Sequence, residues 1–411
     1  MDASPSCREA PRFRVARTRG REGSHIPHRM NPHVNRARRV HSATHLEPTK
    51  AQHQKPKACD KVDGDSVRHR LVSQDRLQRR KIYEPCAALR ATGMVVLPIV
   101  VVVDVDPDWR IPGASRGAYR GNVRWDGLTK GVPKLLDMMK GLTDSSGRRL
   151  RFTWMLRSDG QMAELQGDPA YVATAFRDFW DERRASGDEI GWHPHTWRYS
   201  EHDAVWYQER DDVDWIQSSL RDGYDALARK YPIRVAKTGW TWHSNLTMRL
   251  FASLGLQVDV SALPGMSYHG SISGTRLPLG QYDWRRAPQE PYHPRPDDYQ
   301  VPGDGNSLAI TEVPNWTFPV PGSRQLYHAI RGRSSRDFAN PAKHPRLMRQ
   351  AFGNPPSTLP FVCYFHPEEL LHSSRLFAIQ NVVDNLRVLR DECAERGIRT
   401  RASVASELVL T

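Results

Sequence analysis

Short apolar runs alternate with amphipathic stretches along residues 94–411. The runs at 96–104, 150–156, 188–193, 233–238, 256–261, 308–313, 361–366 and 398–404 predict strands. Near-continuous Val/Ile/Leu-rich segments of this length suit strands buried on both faces. Helices are predicted between most of them, at 130–141, 169–186, 212–230, 245–254 and 374–396. In the last, Leu376, Ile379, Val382, Val383, Leu386 and Leu389 recur at helical spacing, and Gly397 follows as a C-cap. Such alternation predicts a parallel sheet, either a barrel or an open doubly wound sheet. No GxGxxG follows the first strand, which removes the main support for a dinucleotide fold. A Pro- and Tyr-rich insertion, about 263–306, separates two strands, and loops of that length are usually functional or flexible.

Residues 1–93 break this pattern. They are rich in Arg, His, Pro and Ser without a sustained period, and are expected to form a disordered basic tail. Met94 directly precedes the first strand, so translation could begin there, with the upstream part foreign to the native protein. The tail holds 21 Lys/Arg and 9 Asp/Glu, a net of +12 out of the chain's +14, which leaves +2 for the rest. A basic tail can bind nucleic acid or anionic membrane nonspecifically. The nearly neutral remainder argues against a specific nucleic-acid partner.

Three of the five cysteines (Cys7, Cys59, Cys86) lie in the tail, leaving Cys363 and Cys393, and no CxxC occurs. Neither a thiolate zinc site nor a disulfide framework is indicated. No run reaches the roughly 20 apolar residues of a membrane span, and the first thirty residues lack a secretory h-region. A cytoplasmic location is the expectation.

Two of the strands end in chemistry. VVVDVDPDW (101–109) places Asp104 and Asp106 two residues apart, and EIGWHPHTW (189–197) does the same with His193 and His195. Residues i and i+2 of a strand share a face, so each run aims two polar groups one way. A carboxylate pair and an imidazole pair suggest a hydrolytic metal site. One aspartate could ligate the cation while the other takes a proton from water. The bland alternatives are a strand-end Asp-Pro turn and a chance HxH among 17 histidines. His366, ending FVCYFHPEEL, could protonate a departing amine or be a satisfied core histidine.

The polar residues also share a phase. Asp104 and Asp106 close the first strand, Asp159 follows the second, and His193 and His195 follow the third. Gly239 and Trp240 follow the fourth, Asp259 lies in the fifth, Glu312 ends the sixth and His366 the seventh. Active sites of (β/α) barrels occupy that face, which favours the barrel. Trp109, Trp192, Trp197, Trp240, Trp242 and Trp316 lie near the same ends, where they could stack on sugar rings or simply fill a core.

Across roughly residues 96–371 the chain resembles the polysaccharide deacetylases of the NodB-homology type, carbohydrate esterase family 4. Asp104 and Asp106 match that family's catalytic base and metal ligand, and His193, after "EIG", matches its first histidine ligand. The branch containing the deformylase of lipid-linked formamido-arabinose is the most similar. Its motifs read here as Asp104-Val105-Asp106, Gly131-Val132-Pro133 with Leu135 and Leu136, Asp159, Gly191-Trp192-His193, Gly239-Trp240, Glu312-Val313-Pro314 and His366-Pro367-Glu368.

The resemblance implies a distorted (β/α) barrel over 94–411 and removal of an acetyl or formyl group, N-linked, from a sugar or sugar-like substrate. It implies a divalent metal, expected to be zinc, held by Asp106, His193 and His195, with Asp104 as base and His366 as acid. Asp159, Trp240, Asp259 and Glu312 are the expected substrate-binding residues. The family's second histidine usually lies four residues after the first, where this chain has Trp197, so His195 is expected to substitute. The arginine that usually orients the base is missing from its motif, with Lys237 the nearest cation, and Lys is no geometric replacement for a bidentate Arg. These departures keep open a second reading, a catalytically silent sugar-binding barrel that regulates or scaffolds.

Overall fold

A computed structural model describes residues 96–108, 123–319, 326–328, 360–371 and 379–410 of the chain. All of them belong to the compact unit Asp75–Thr411. The expected tail, Met94 and Trp109 lie outside the described residues.

The strands, in chain order, start with β1 (Val96–Val105), β2 (Phe152–Arg157) and β3 (Glu189–His193). A hairpin of β4 (Trp197–Ser200) and β5 (Val205–Gln208) precedes β6 (Val235–Ala236) and β7 (Val258–Asp259). The 263–306 insertion supplies two further hairpins, β8 (Ser267–Ser271) with β9 (Pro278–Asp283), and β10 (Pro294–Arg295) with β11 (Asp298–Pro302). Then come β12 (Thr311–Glu312), the paired β13 (Thr317–Pro319) and β14 (Leu326–His328), β15 (Phe361–Phe365) and β16 (Arg399–Ser403).

Every predicted strand falls in one sheet, ordered β12-β7-β6-β3-β2-β1-β15, with β16 also on β1. All its ladders are parallel. This is the sequential order of a distorted (β/α) barrel. Among the described residues the ring has a gap: no ladder joins β12 to β15, and Trp316 N–H donating to Val362 O at 2.8 Å is a backbone link across it. Ile99 pairs with Phe361 on one edge of β1 and Ala402 on the other, while Val101 pairs with Cys363 and Phe152. One edge of β1 is therefore shared, β16 taking its first half and β2 its second. From Ile99 to Val103 strand β1 is paired on both edges and buried, which explains its unbroken valines. Val100, Val102, Val103 and Val105 are fully buried, each worth about 1.5–3 kcal/mol.

The helices follow from caps and stripes. In Val213–Ala228, Asp212 accepts from Trp215 N–H at 3.1 Å, and Ile216, Leu220, Gly223 and Leu227 face the core. The helix predicted over 169–186 is two, Tyr171–Ala175 and Arg177–Ala185, interrupted at Phe176, whose backbone is non-helical. Of the helix predicted at 374–396, the described residues show Ile379–Glu395, and Leu376 lies outside them. The short helix Gly160–Gln166, capped by Asp159, was not legible beforehand. No helix among the described residues is long and apolar enough to cross a membrane.

Candidate metal and catalytic site

The C-terminal ends of β1, β3 and β15 bring Asp104, Asp106, His193, His195 and His366 together. Asp106 is the centre. Its Oδ1 lies 3.4 Å from His195 Nε2 and 3.2 Å from Arg157 Nη1; its Oδ2 lies 3.7 Å from His193 Nε2 and 3.8 Å from His366 Nε2. The two histidine Nε2 atoms are 3.3 Å apart. All five of these side chains and Arg157 are buried.

Local bonds fix how each ring points. His193 Nδ1 donates to the Lys237 carbonyl at 2.6 Å, since a carbonyl can only accept. That tautomer leaves the Nε2 lone pair facing Asp106. His195 hangs on Asp159, whose Oδ2 accepts from its backbone N–H at 3.1 Å, and its ring lies against Gly239. A Cβ at position 239 would come within 2.2 Å of that ring, so the glycine of the Gly239-Trp240 pair is needed for close approach. The His195 pKa is lowered to about 4 by burial first, then by the Arg157 charge, against the pull of Asp106. Its imidazole is therefore a neutral donor at ordinary pH.

Do these donors fit a cation? Asp106 Oδ2 is buried and lacks a hydrogen-bond partner. A carboxylate oxygen left so in the core costs free energy unless something positive meets it. A tetrahedral ion with bonds of about 2.0–2.1 Å separates its ligand atoms by about 3.4 Å; His193 Nε2 and His195 Nε2 are 3.3 Å apart, and Asp106 comes within 3.4 Å of His195 through Oδ1 and within 3.7 Å of His193 through Oδ2. Asp106, His193 and His195 can thus hold a divalent metal. Asp104, His193 and His366 form an alternative triad, but the Lys237 ammonium already occupies Asp104 at 2.5 Å and would repel a second cation there.

Asp104 stands beside this triad. Its Oδ2 accepts from Lys237 Nζ, while Oδ1 is buried without a partner. Burial raises its pKa, but the Lys237 charge, with His193 and His366, outweighs that and holds it below the usual range. Lys237 also lies over the Tyr364 ring, 3.8 Å from its centre. His366 Nε2 is 3.6 Å from Asp104 Oδ2, and its Nδ1 is 3.3 Å from Glu369 Oε1. Glu369 Oε2 also accepts from the His366 backbone N–H, so the turn Pro367–Leu371 clamps this histidine. Gly127 lies beneath that turn, where a Cβ would meet Pro367 and Glu368 backbone at 2.4 Å. Val132 and Leu135 of the GVPKLL run are fully buried in the helix that follows.

Asp159 accepts from Arg157 Nε at 2.8 Å and caps its helix through Met162 N–H at 3.0 Å. It thereby positions both Arg157 and His195. Trp240, held at a positive φ of 55°, is half-buried and stacks on the exposed Tyr268 ring at 6.3 Å. Asp259 and Glu312 are placed elsewhere. They sit side by side on β7 and β12 with no exposure, in a separate group with His243, whose Nε2 lies 2.9 Å from Asp259 Oδ2. Burial and the neighbouring Asp259 push the Glu312 pKa well up, while Asp259 is held low against burial chiefly by His243. Asp259 Oδ1 accepts from the Ser261 hydroxyl and Glu312 Oε1 from the Ala262 N–H, each at 2.8 Å.

Sequence reasoning passed over Arg157 and Glu369. Arg157 ends β2 in the same phase as His193 ends β3, with which it is in register, and that phase could have found it. Glu369, one residue past the expected Glu368, carried no signal.

No family model matches the chain, and no curated protein matches it. Among solved structures it is similar to one assigned as a glycoside hydrolase/deacetylase from Parabacteroides distasonis, at 12% identity and a TM-score of 0.45, covering 76% of this chain and 70% of that one. It is also similar to one assigned as a polysaccharide deacetylase from Mycobacterium smegmatis, at 16% identity and a TM-score of 0.43, covering 77% and 90%.

Proposed function

We propose that the chain is a metal-dependent hydrolase that removes an N-linked acetyl or formyl group from a sugar or sugar-like substrate. The observation that supports it most is the gathering of Asp106, His193 and His195, with the two imidazole Nε2 atoms 3.3 Å apart and an unpartnered Asp106 oxygen, Oδ2, 3.7 Å from His193 Nε2. A bound cation, zinc by its His/carboxylate preference, would polarise the acyl carbonyl and make water acidic enough to react. Asp104, ionised and with Oδ1 free, takes the proton of the attacking water. Lys237 keeps Asp104 ionised and oriented through Oδ2. His366, braced by Glu369, gives a proton at Nε2 to the departing amine. Arg157 and Asp159 keep Asp106 and His195 in register.

The acyl-sugar chemistry rests on the motif order, including that of the formamido-arabinose deformylase branch; the geometry by itself reaches metal-assisted hydrolysis. The test is elemental analysis of the purified chain together with release of acetate or formate from N-acyl and N-formyl amino sugars. Bound zinc and amine release support the reading. A chain that takes up no divalent metal would overturn it in favour of the silent sugar-binding barrel.

A further inference from the structure

The turn after β6 is strained. Trp240 and Thr241 are consecutive non-glycine residues in the left-handed region, at φ of 55° and 57°. For a β-branched threonine that conformation is a genuine outlier. The buried Thr241 hydroxyl also lacks a hydrogen-bond partner. Such a turn persists only where its surroundings hold it.

What holds it is the 263–306 insertion. Gly280 of β9 lies so close to the Trp240 ring that a Cβ there would come within 2.3 Å of it. Tyr268 of β8 stacks on the same ring, with planes at 13°. Just past β9, the Trp284 indole N–H donates to the Thr241 carbonyl at 2.7 Å. The hairpin is itself tied to β5. Gln281 N–H donates to Gln208 Oε1 at 2.6 Å, and Gln208 Nε2 donates back to the Gln281 carbonyl at 3.3 Å.

The other side of the turn leads to His195. Gly239 lies against the His195 ring and donates its N–H to the Pro194 carbonyl at 2.7 Å. The Trp240 ring meets Trp197 edge-on, with centroids 6.4 Å apart, and Trp197 stacks on His195 at 5.9 Å with planes at 20°. A backbone route and an aromatic route therefore run from the insertion to one imidazole. We infer that the β8–β9 hairpin is a clamp that sets the His195 ring through the strained Trp240–Thr241 turn, with Trp240 and Tyr268 as positioning residues. Hairpin docking and metal binding are then linked, and such linkage is reciprocal. That His195 serves a metal rests on the proposed hydrolase reading; that the hairpin holds it does not.

The test is hydrogen exchange on the metal-free full chain, followed by competition titration with zinc. In Gly280→Ala, whose Cβ would press on Trp240, the Gly239 and His195 amides should exchange about tenfold faster, while those of β1 and β2 keep their rates. Tyr268 is 44% exposed, so Tyr268→Ala spares the barrel and decides the matter if Gly280→Ala fails to fold. It should speed the same amides, whereas Tyr268→Phe keeps the ring and should behave as wild type. Zinc affinity should fall about fivefold or more in Gly280→Ala and Tyr268→Ala, and zinc should slow exchange across β8–β9 in the wild type. Unchanged exchange at Gly239 and His195, loss of protection spread evenly over the sheet, or wild-type zinc affinity in both variants would each overturn the inference. A wild-type chain that takes up no zinc sinks the hydrolase reading instead, and the exchange rates alone then decide the clamp.

Discussion

Lys237 Nζ meets Asp104 Oδ2 at 2.5 Å, with both side chains 1% exposed. The ion pair spans 133 positions of sequence and stands where the resemblance implied an arginine. Removing one partner of a buried pair strands the other charge at a cost of about 3–5 kcal/mol. Lys237→Met should lower the melting temperature and slow turnover. Since the ammonium lowers the Asp104 pKa, its loss should move the acidic limb of the pH–rate profile to higher pH. An unmoved limb would show that Lys237 is structural only.

The two aspartates are expected to separate. Asp104→Asn should keep bound zinc and lose roughly 10²–10⁴ in turnover, the scale of a general base. Asp106→Asn should lose metal as well as turnover. Elemental analysis decides, and equal metal loss in both variants would remove the distinction.

His195→Ala should reduce bound zinc about as much as His193→Ala. Gly239→Ala offers a subtler check, because its Cβ would press on the His195 ring at 2.2 Å. It should lower zinc occupancy in a chain that still folds by circular dichroism. Full occupancy in both His195→Ala and Gly239→Ala would mean that another residue completes the ligand set.

His366→Ala should sharply slow release of an amine from an N-acyl sugar, because a poor leaving group needs a proton. An activated aryl ester should suffer much less, and metal content should hold. Glu369→Gln should produce a weaker version of the same contrast. Equal slowing on both substrates would make His366 a structural or oxyanion-stabilising residue.

Glu209 is a stability element. Its Oε1 accepts from the backbone N–H groups of Arg210, Asp211 and Asp212 at 2.9–3.1 Å, and Oε2 from Tyr207 and Arg198. Burial opposes ionisation, but these bonds lower its pKa to about 2 from an ordinary 4.5. A depressed carboxyl stabilises above its unfolded pKa and loses that contribution as pH falls through its folded one. Glu209→Gln should cost about 1–3 kcal/mol at neutral pH. It should also flatten the decline of stability between pH 4.5 and 2. An acid-unfolding curve parallel to that of the wild type would rule this out.

The sequence alone determined every strand of the sheet, because a strand buried on both faces must be apolar and its run shows without reference to neighbours. It also determined where chemistry could sit, since polar groups after each run share the strand-end face of a parallel sheet. It could not show who pairs with whom. Lys237 on Asp104, Arg157 on Asp106 and Glu369 on His366 depend on strand order, register and turn geometry, none of which leaves a periodic trace. The interruption at Phe176, the gap between β12 and β15 and the withdrawal of Asp259 and Glu312 into their own enclosed group are of the same kind. Local period reports burial and secondary structure; only packing decides whether a strand-end carboxylate faces a metal, a lysine or another carboxylate.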